Sequence, residues 1–277
     1  MSSPILEVKG VSKSFGNVKA LDNVDFYLQK GVVHGLLGEN GAGKSSLMNV
    51  LSGIYLPEKG TIKIKNQKIK KMNPDIASSL GIGMVHQEFR LIESFTIKDN
   101  LTLSKASIFY DNFEEAYEKY SEIFTLNSSY LTSINELSVG EKQKVEIMKL
   151  IFKNSEIMLL DEPTAVLTPQ ETSQLRESLE KLSQEDEKTI VLITHKLKEI
   201  KDFTERIFVM KNGKMVAKNL ETKKVTDKEL VELMMGEVKT SNFNKNNKKG
   251  NVKLEVKNIS LINSEQLKSL DDISFSI

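Results

Sequence analysis

The chain has 277 residues, 39% of them hydrophobic and 28% charged, which is typical of a globular protein with one large domain or two smaller ones. Its 39 basic and 38 acidic side chains leave a net charge of +1, which argues against a nucleic-acid partner. The absence of cysteine excludes disulfides and thiolate metal sites. We predict no signal peptide and no apolar run of about 20 residues, so a role at a membrane would depend on a partner.

The first predicted elements are strands. Apolar and polar residues alternate over Ile5–Lys9 and Val24–Leu28, which predicts two half-buried strands of an antiparallel sheet. Phe15 lies between them in the turn-rich segment Lys13–Asn17. The apolar run Val32–Leu37 then predicts a buried strand.

The next stretch matches the phosphate-binding pattern G-x-x-x-x-G-K-[ST], and a helical pattern begins at Lys44. Glycines let successive N–H groups point at phosphate oxygens, Lys44 can reach the β- and γ-phosphates, and the Ser45 hydroxyl can bind Mg²⁺. Phe15 could stack on an adenine ring, or equally well fill a local apolar cluster. The predicted nucleotide site comprises Gly38, Glu39, Asn40, Gly41, Ala42, Gly43, Lys44, Ser45 and Ser46.

A second polar position follows the predicted buried strand Ile82–Val85. Gln87 lies just past the carboxyl end of this strand, where ligands bind in open α/β sheets. Its amide oxygen could reach Mg²⁺ or an attacking water, although a polar loop residue is the more ordinary explanation.

Between residues 97 and 153 the predicted elements are mainly helical. Amphipathic helices are predicted over Asn112–Thr125 and Ser138–Lys153. This insert ends at an apolar run, residues 157–160, which Asp161 and Glu162 follow. At the end of a buried strand, Asp161 can hold Mg²⁺ through water and Glu162 can orient or deprotonate the attacking water.

Two further features follow the acids. Thr168, Pro169 and Glu171 predict a helix start with a capping box. The buried strand Thr189–Thr194 then ends at His195. A histidine at this position can hydrogen-bond a γ-phosphate or the attacking water, although a lone histidine is more often structural.

The end of the chain repeats its beginning. Residues 239–251 are rich in Asn and Lys without an apolar period, which predicts a flexible linker. We predict that residues 252–277 start a second domain that the chain does not complete. The recurring segments are Leu6–Lys9 with Leu254–Lys257, and Leu21–Phe26 with Leu270–Phe275.

Leu137–Glu141 (LSVGE) lies at a predicted helix start inside the insert and resembles the LSGGQ signature of the nucleotide-binding domains of ABC transporters. The remaining motifs follow that family's order over roughly residues 5–235. The resemblance implies an α/β fold with a P-loop NTPase core, an antiparallel β subdomain and a helical insert at about 88–155, all within a domain of residues 1–238. The site residues it implies are Phe15 at the adenine position, Gln87 in the Q-loop, Ser138 and Gly140 in the signature, Asp161 at Mg²⁺, Glu162 as the catalytic acid and His195 as the switch histidine.

The sequence departs from the family pattern in two motifs. Val139 and Glu141 replace a glycine and a glutamine of the signature, and Thr168 replaces the D-loop aspartate. These departures are similar to those of importers of simple sugars and nucleosides, whose ATPase subunit fuses two such domains.

The resemblance implies that ATP and Mg²⁺ bind between the phosphate loop of one domain and the signature of another, supplied by the same chain or by a homodimer. It also implies permease subunits, a solute-binding protein acting through them, and a peripheral position on the cytoplasmic face of the membrane. A soluble ABC-type ATPase of translation or DNA repair is the alternative, and a catalytically silent nucleotide-binding module is a third. The short linker and the near-zero net charge disfavour the soluble class.

Overall fold

The computed structural model describes residues 3–103, 112–236, 252–262 and 268–277. The chain divides into two compact units between Val238 and Lys239. The strands of the first unit are β1 (Leu6–Phe15), β2 (Val18–Leu28), β3 (Val33–Leu37), β4 (Lys59–Ile64), β5 (Gln67–Ile69), β6 (Ile82–Val85), β7 (Ile157–Asp161), β8 (Thr189–Thr194), β9 (Arg206–Lys211) and β10 (Lys214–Glu221). Its helices are α1 (Lys44–Leu51), α2 (Pro74–Ser79), α3 (Ile97–Thr102), α4 (Phe113–Ile123), α5 (Val139–Phe152), α6 (Pro169–Gln184), α7 (Leu197–Phe203) and α8 (Asp227–Met235).

An antiparallel sheet of order β2-β1-β4-β5 forms one layer of this unit. Val8 faces Phe26 on one side and Ile62 on the other, and all three side chains are buried. The predicted antiparallel pair is therefore confirmed. Its connection is tighter than predicted, because β1 continues through Phe15, which pairs with Val18, and leaves only a two-residue turn.

The second sheet has the order β10-β9-β3-β8-β7-β6, and its strands are parallel except for β10. The side chains of β3, β7 and β8 are buried throughout, as expected for parallel strands covered on both faces. The carboxyl ends of β3, β6, β7 and β8 lie at one edge, which brings together the residues that follow them. The predicted α/β class is confirmed.

The helical insert shares one hydrophobic cluster with residues of the parallel sheet and of α6. Aromatic rings of Phe113, Tyr117 and Tyr130 meet there with centroids 5.6–6.0 Å apart. The predicted insert helices are confirmed within one or two residues, with Asn112 and Ser138 as their N-caps. The sequence did not predict α3 or α7, which are short. Within the described ranges no helix is long and apolar enough to span a bilayer.

The second unit contributes two described strands, β11 (Glu255–Ile262) and β12 (Lys268–Ser276), which pair antiparallel. Val256 faces Phe275 and Ile259 faces Ile273. The first hairpin pairs Val8 with Phe26 and Val11 with Val24, so the register follows the sequence repeat. The predicted linker, residues 239–251, lies outside the described residues.

Candidate active site

A cavity of about 600 Å³ lies at the carboxyl edge of the parallel sheet, over the loop between β3 and α1. The loop is anchored by β3 at one end and by α1 at the other, which restricts the conformation of its backbone. The cavity brings together most of the residues that the sequence predicted for a nucleotide site. Its lining residues are Val18, Lys19, Ala20, Asn40, Gly41, Gly43, Lys44, Ser45, Ser46, Gln87, Asp161, Glu162, Asn212 and Gly213.

Lys44 is folded back over its own loop. Its Nζ donates to the carbonyl oxygens of Gly38 at 2.8 Å and Glu39 at 3.0 Å, and only 7% of the residue is exposed. Burial lowers the pKa of Lys44, while the nearby Glu162 and Asp161 carboxylates oppose that shift. A cation held by carbonyls at the rim of a cavity is well placed to meet phosphate oxygens.

Two glycines of the loop are required by their surroundings. Gly43 has φ 104°, and a Cβ there would lie 2.5 Å from the carbonyl oxygen of Ala20. A Cβ on Gly38 would lie 2.5 Å from the carbonyl oxygen of Met210 in β9. Since backbone atoms cannot move aside as a flexible side chain can, both positions exclude larger residues.

The end of β7 places an acid beside the phosphate loop. The Ser45 hydroxyl donates to Asp161 Oδ2 at 3.2 Å. Burial raises the pKa of the Asp161 carboxyl, against the effect of this hydrogen bond. A buried carboxylate and a hydroxyl, with Gln87 in the same cavity, form an oxygen donor set that suits Mg²⁺.

No group of three or more His, Cys, Asp or Glu side chains in the described residues could hold a metal by itself. Magnesium in phosphate sites usually keeps waters and binds phosphate oxygens beside one or two carboxylates. The residues present therefore fit a magnesium ion that arrives with a nucleotide.

Glu162 leaves β7 in an unusual conformation. Its φ is 48°, which is uncommon for a residue other than glycine, and its N–H donates to the Ile193 carbonyl of β8 at 2.9 Å. Its Oε1 lies 2.7 Å from Nδ1 of His195, which follows β8. The backbone turn thus directs the carboxylate towards His195, and Gln87, the third predicted catalytic residue, lines the same cavity as Glu162.

The signature residues lie elsewhere. Ser138 caps α5, since its Oγ accepts the Glu141 N–H at 3.2 Å and the Glu141 carboxylate accepts the Ser138 N–H at 2.9 Å. A Cβ on Gly140 would lie 2.1 Å from Oε1 of Glu171, so the glycine leaves room for the Glu171 carboxylate at the start of α6. Neither Ser138 nor Gly140 is among the described residues that line the cavity of the same chain.

Phe15 is also not among the described lining residues. Its ring is 43% exposed and meets Tyr55 edge-on with centroids 5.0 Å apart. Its stacking on adenine stays a prediction.

The sequence missed two parts of the wall, at the start of β2 and in the β9–β10 turn. In that turn the Gly213 N–H donates to the Ala42 carbonyl at 2.9 Å, so the hairpin supports the phosphate loop. The Asn212–Gly213 pair is a strong hairpin signal, but nothing in it indicates that the turn reaches a site elsewhere in the chain.

A phosphate loop after a central parallel strand, with an acid at the end of another parallel strand of the same sheet, defines a P-loop nucleotide-binding protein. The ABC transporter family model matches residues 21–165, which is just over half of the chain. The chain belongs to the ABC transporter family, and its fold is that of an ABC-type ATPase cassette with an antiparallel β subdomain and a helical insert.

Two curated relatives illustrate the family. The chain is 41% identical over 238 residues to the nucleoside import ATP-binding protein NupA of Lactococcus lactis subsp. cremoris, covering 84% of this chain and 46% of that protein. It is 40% identical over 239 residues to the ribose import ATP-binding protein RbsA of Caldanaerobacter subterraneus subsp. tengcongensis, covering 84% and 48%. The chain spans about half the length of the curated relatives it matches.

The fold is also similar to a dimeric structure of the ATP-binding cassette MJ0796 in a post-hydrolysis state, bound to ADP and Pi. The TM-score is 0.68 and the identity is 28%, covering 78% of this chain and 98% of that one.

Proposed function

We propose that the chain binds and hydrolyses ATP to power an importer of nucleosides or simple sugars such as ribose or galactose. The observation that carries this proposal is the cavity in which Lys44, Ser45 and Asp161 of a phosphate site meet Glu162, itself bonded to His195. A phosphate site without a general base would bind a nucleotide without hydrolysing it. The Glu162 carboxylate would supply the base that activates the attacking water.

Binding follows from the loop. The N–H groups of the 38–45 loop and the start of α1 would hold the phosphates, with Lys44 at the β- and γ-phosphates. Ser45, Asp161 and Gln87 would hold Mg²⁺, which supplies charge stabilisation at the transferred phosphoryl group. The adenine ring would lie towards the antiparallel sheet, near Phe15 or near Val18 and Lys19.

Hydrolysis would use Glu162 and His195. The Glu162 carboxylate takes a proton from the attacking water or orients it, and His195 fixes the direction of that carboxylate through the 2.7 Å contact. Gln87, in the same cavity, would report whether the γ-phosphate is present.

The site is half of a composite site in this proposal. The helix start at Ser138 and Gly140 would present N–H groups to the nucleotide of a second cassette, because it does not reach the cavity of its own chain. The related cassette that forms a dimer supports such an arrangement. Thr168, at the D-loop position, would lie between the two half-sites. It caps α6 through its side chain, where the family pattern has an aspartate.

We assign residues 1–238 to one cassette with an insert at about 88–155, residues 239–251 to a linker, and the hairpin from residue 252 to the start of a second cassette. The hairpin repeat in sequence and register supports this assignment, as does the length of the relatives, about twice the matched part. The second cassette would belong to the same chain in the whole protein, or to another copy.

The names of the relatives support the import part of this proposal, whereas the geometry of the site supports only ATP binding and hydrolysis. Their names divide between a nucleoside and a sugar, so the proposal keeps both solutes. The partners would be permease subunits and, through them, an extracytoplasmic solute-binding protein, with the chain peripheral on the cytoplasmic face and without nucleic acid.

Deletion of the encoding gene should reduce uptake of labelled nucleoside or labelled ribose. Unchanged uptake of all such solutes would remove the import assignment.

Glu162→Gln tests the catalytic assignment. The amide keeps the size of the side chain but cannot take a proton, so we expect ATP binding to persist while turnover falls by at least about a hundredfold. Phosphate release and titration with a fluorescent ATP analogue measure the two quantities. Glu185→Gln, an exposed change beyond α6, is the matched control, and undiminished turnover in Glu162→Gln would remove this residue from catalysis.

Lys44→Ala tests the phosphate site itself. Loss of a cation that faces phosphates should weaken ATP binding by at least about tenfold, since hydrogen bonds to charged groups contribute about 1.5–3 kcal/mol each. Lys181→Ala on the exposed face of α6 is the control. An ATP affinity equal to that of the unchanged chain would contradict the assignment.

A further inference from the structure

A second cavity, of about 420 Å³, lies at the edge of the antiparallel sheet. Its walls come from the loop before β4, from β4 and β5, and from the segment that follows β5. Among the described residues it shares no lining residue with the phosphate cavity. Lys68, Lys70 and Lys71 line it, and none of its described lining residues is acidic. We call it the lysine cavity, and its charge favours an anionic ligand.

The three lysines have no carboxylate of their own. All three are exposed, and none of them makes an ion pair or a side-chain hydrogen bond within the part of the chain that the structure describes. Lys68 lies directly opposite Lys63 in the β4–β5 pair, and like charges in that arrangement are destabilising. Lys63 lies 3.2 Å from Glu7, but Glu7 is also 2.8 Å from Lys9. An anion in the cavity would therefore relieve a repulsion that no described carboxylate relieves.

The ordinary explanation of lysines on an edge strand is that they discourage pairing with another sheet. The strand β10, at the edge of the other sheet, provides a comparison. Its Lys214 lies 3.4 Å from Asp22. Its Lys218 lies 2.8 Å from Asp25. Lysines at an edge of this chain can thus be paired, and β5, with only three residues, is a short edge that needs little protection.

Exposed apolar side chains lie beside the lysines. Leu56 lines the lysine cavity and is 59% exposed, and Ile54, two residues earlier, is 42% exposed. A soluble phosphate ion has no apolar surface to bury against these side chains. The surface of an anionic bilayer offers phosphate groups to cations and the acyl-chain boundary to apolar residues. The combination therefore favours a lipid surface over a free anion.

We propose that the lysine cavity binds the phosphate headgroups of anionic phospholipids, with Leu56 entering the headgroup region of the bilayer. The lysine ammonium groups donate to the phosphate oxygens. This inference goes beyond the proposed function, in which permease subunits hold the chain at the membrane, and it does not depend on ATP hydrolysis. A single weak membrane contact is reversible, so the lipid contact adds to the permease contact and does not replace it.

Sedimentation of the full chain with vesicles tests the proposal. We expect binding to vesicles of phosphatidylcholine and phosphatidylglycerol in equal amounts, weaker binding as salt is added, and no binding to phosphatidylcholine alone. The triple variant Lys68→Gln, Lys70→Gln, Lys71→Gln should bind the anionic vesicles about a hundredfold less tightly, because each lysine near such a surface contributes about fivefold. Equal binding to the two kinds of vesicle would overturn the proposal.

A second triple variant controls for the loss of net charge. Lys181→Gln, Lys223→Gln and Lys228→Gln remove three exposed lysines outside the lysine cavity. This variant should lose less than about fivefold in binding to anionic vesicles. Equal losses in the two triple variants would overturn the proposal. Both variants should keep the ATP affinity of the unchanged chain, which shows that they fold, since neither alters the phosphate cavity.

Two competitors distinguish the source of the phosphate. Inorganic phosphate, at the concentration of the accessible lipid phosphate, should not displace the chain from anionic vesicles. Displacement at that concentration would assign the cavity to a soluble anion and overturn the proposal. Binding to a short RNA duplex that the change of Lys68, Lys70 and Lys71 abolishes, without binding to vesicles, would assign the cavity to nucleic acid and overturn it as well.

The absence of cysteine from the chain allows a single labelled position. A polarity-sensitive dye on Leu56→Cys should shift its emission to shorter wavelength when anionic vesicles are added. The same dye on Met235→Cys, at a residue that is 58% exposed at the end of α8, should not shift. No shift at position 56, or equal shifts at both positions, would overturn the proposal. A chain that passes these tests but does not bind ATP would contradict the proposed function alone.

Discussion

The two hairpins of this chain share the segments LEVK and L-D-[ND]-[VI]-x-F and the same register, but their surroundings differ. In the first, Val11, Val24 and Phe26 are fully buried, and the Phe26 ring packs against Phe208 with centroids 4.7 Å apart. In the second, the equivalent Ile273 and Phe275 are 43% and 48% exposed. Strand pairing is therefore encoded within the hairpin, while burial of its apolar face depends on elements elsewhere in a cassette.

Even the irregularities of the first hairpin recur in the second. Gly10 and Asn23 have positive φ, and so do their equivalents Asn258 and Asp272. Such residues tolerate the left-handed region better than other side chains. The recurrence at equivalent positions means that local sequence fixes the bulges without help from a core.

The largest expected difference between the hairpins concerns Phe26 and Phe275. Phe26→Ala removes a fully buried ring and should lower the free energy of unfolding of the first unit by about 3–5 kcal/mol. Phe275→Ala, at a half-exposed ring, should cost less than about 1 kcal/mol. Urea unfolding of the full chain, followed by circular dichroism, measures both. Equal costs would show that the second hairpin is covered in solution.

A fall in pH should lower the free energy of unfolding of the first unit through its histidines, by less than Phe26→Ala lowers it. Burial lowers the pKa of His34 in β3 to about 4, whereas residues 239–277 contain no histidine. The unfolded chain binds a proton at His34 near about pH 6.5, before the folded one does, so stability falls as the pH falls through this window. We expect a loss of about 2 kcal/mol between about pH 7.5 and about pH 5 from this residue.

The variant His34→Gln is the control for that pH effect. It can still accept the Gln29 N–H that His34 Nε2 accepts at 3.1 Å, but it does not titrate. Urea unfolding at the two pH values should show a shallower loss in the variant. Part of the slope should remain, because burial also lowers the pKa of His86. An identical slope in both proteins would contradict a neutral, buried His34.

Sequence reasoning succeeded for this fold where the signal is local. The alternation in β1 and β2, the apolar runs of β3, β7 and β8, and the capping box at Thr168 each depend on neighbouring residues alone. It failed for α3 and α7, which have six and seven residues and too few turns to show a helical period.

The candidate site divides in the same way. The phosphate loop and Asp161 are recognisable because their residue types and spacing follow from their chemistry. The positive φ of Glu162, which directs it to His195, and the support of Ala42 by Gly213 arise from strands far apart in sequence. No local pattern encodes those contacts, and only the folded sheet brings them together.

The smallest expected difference tests a bond that both hairpins make. Ser12 Oγ accepts the Asn23 N–H at 3.0 Å, and Ser260 Oγ accepts the Asp272 N–H at 3.0 Å. Ser12 is 9% exposed and its bond to Asn23 is partly buried, so Ser12→Ala should cost about 1 kcal/mol. Ser260→Ala leaves an N–H that water can reach and should cost less than about 0.5 kcal/mol.

Native-state hydrogen exchange in the full chain can resolve effects of this size at the two amides themselves. The Asn23 amide should lose protection in Ser12→Ala while the Asp272 amide, poorly protected from the start, changes little in Ser260→Ala. Equal losses of protection would mean that the bond strength is set within the hairpin, as the register is. Unequal losses would mean that the core around Ser12 contributes to the strength of a bond whose geometry the hairpin sets locally.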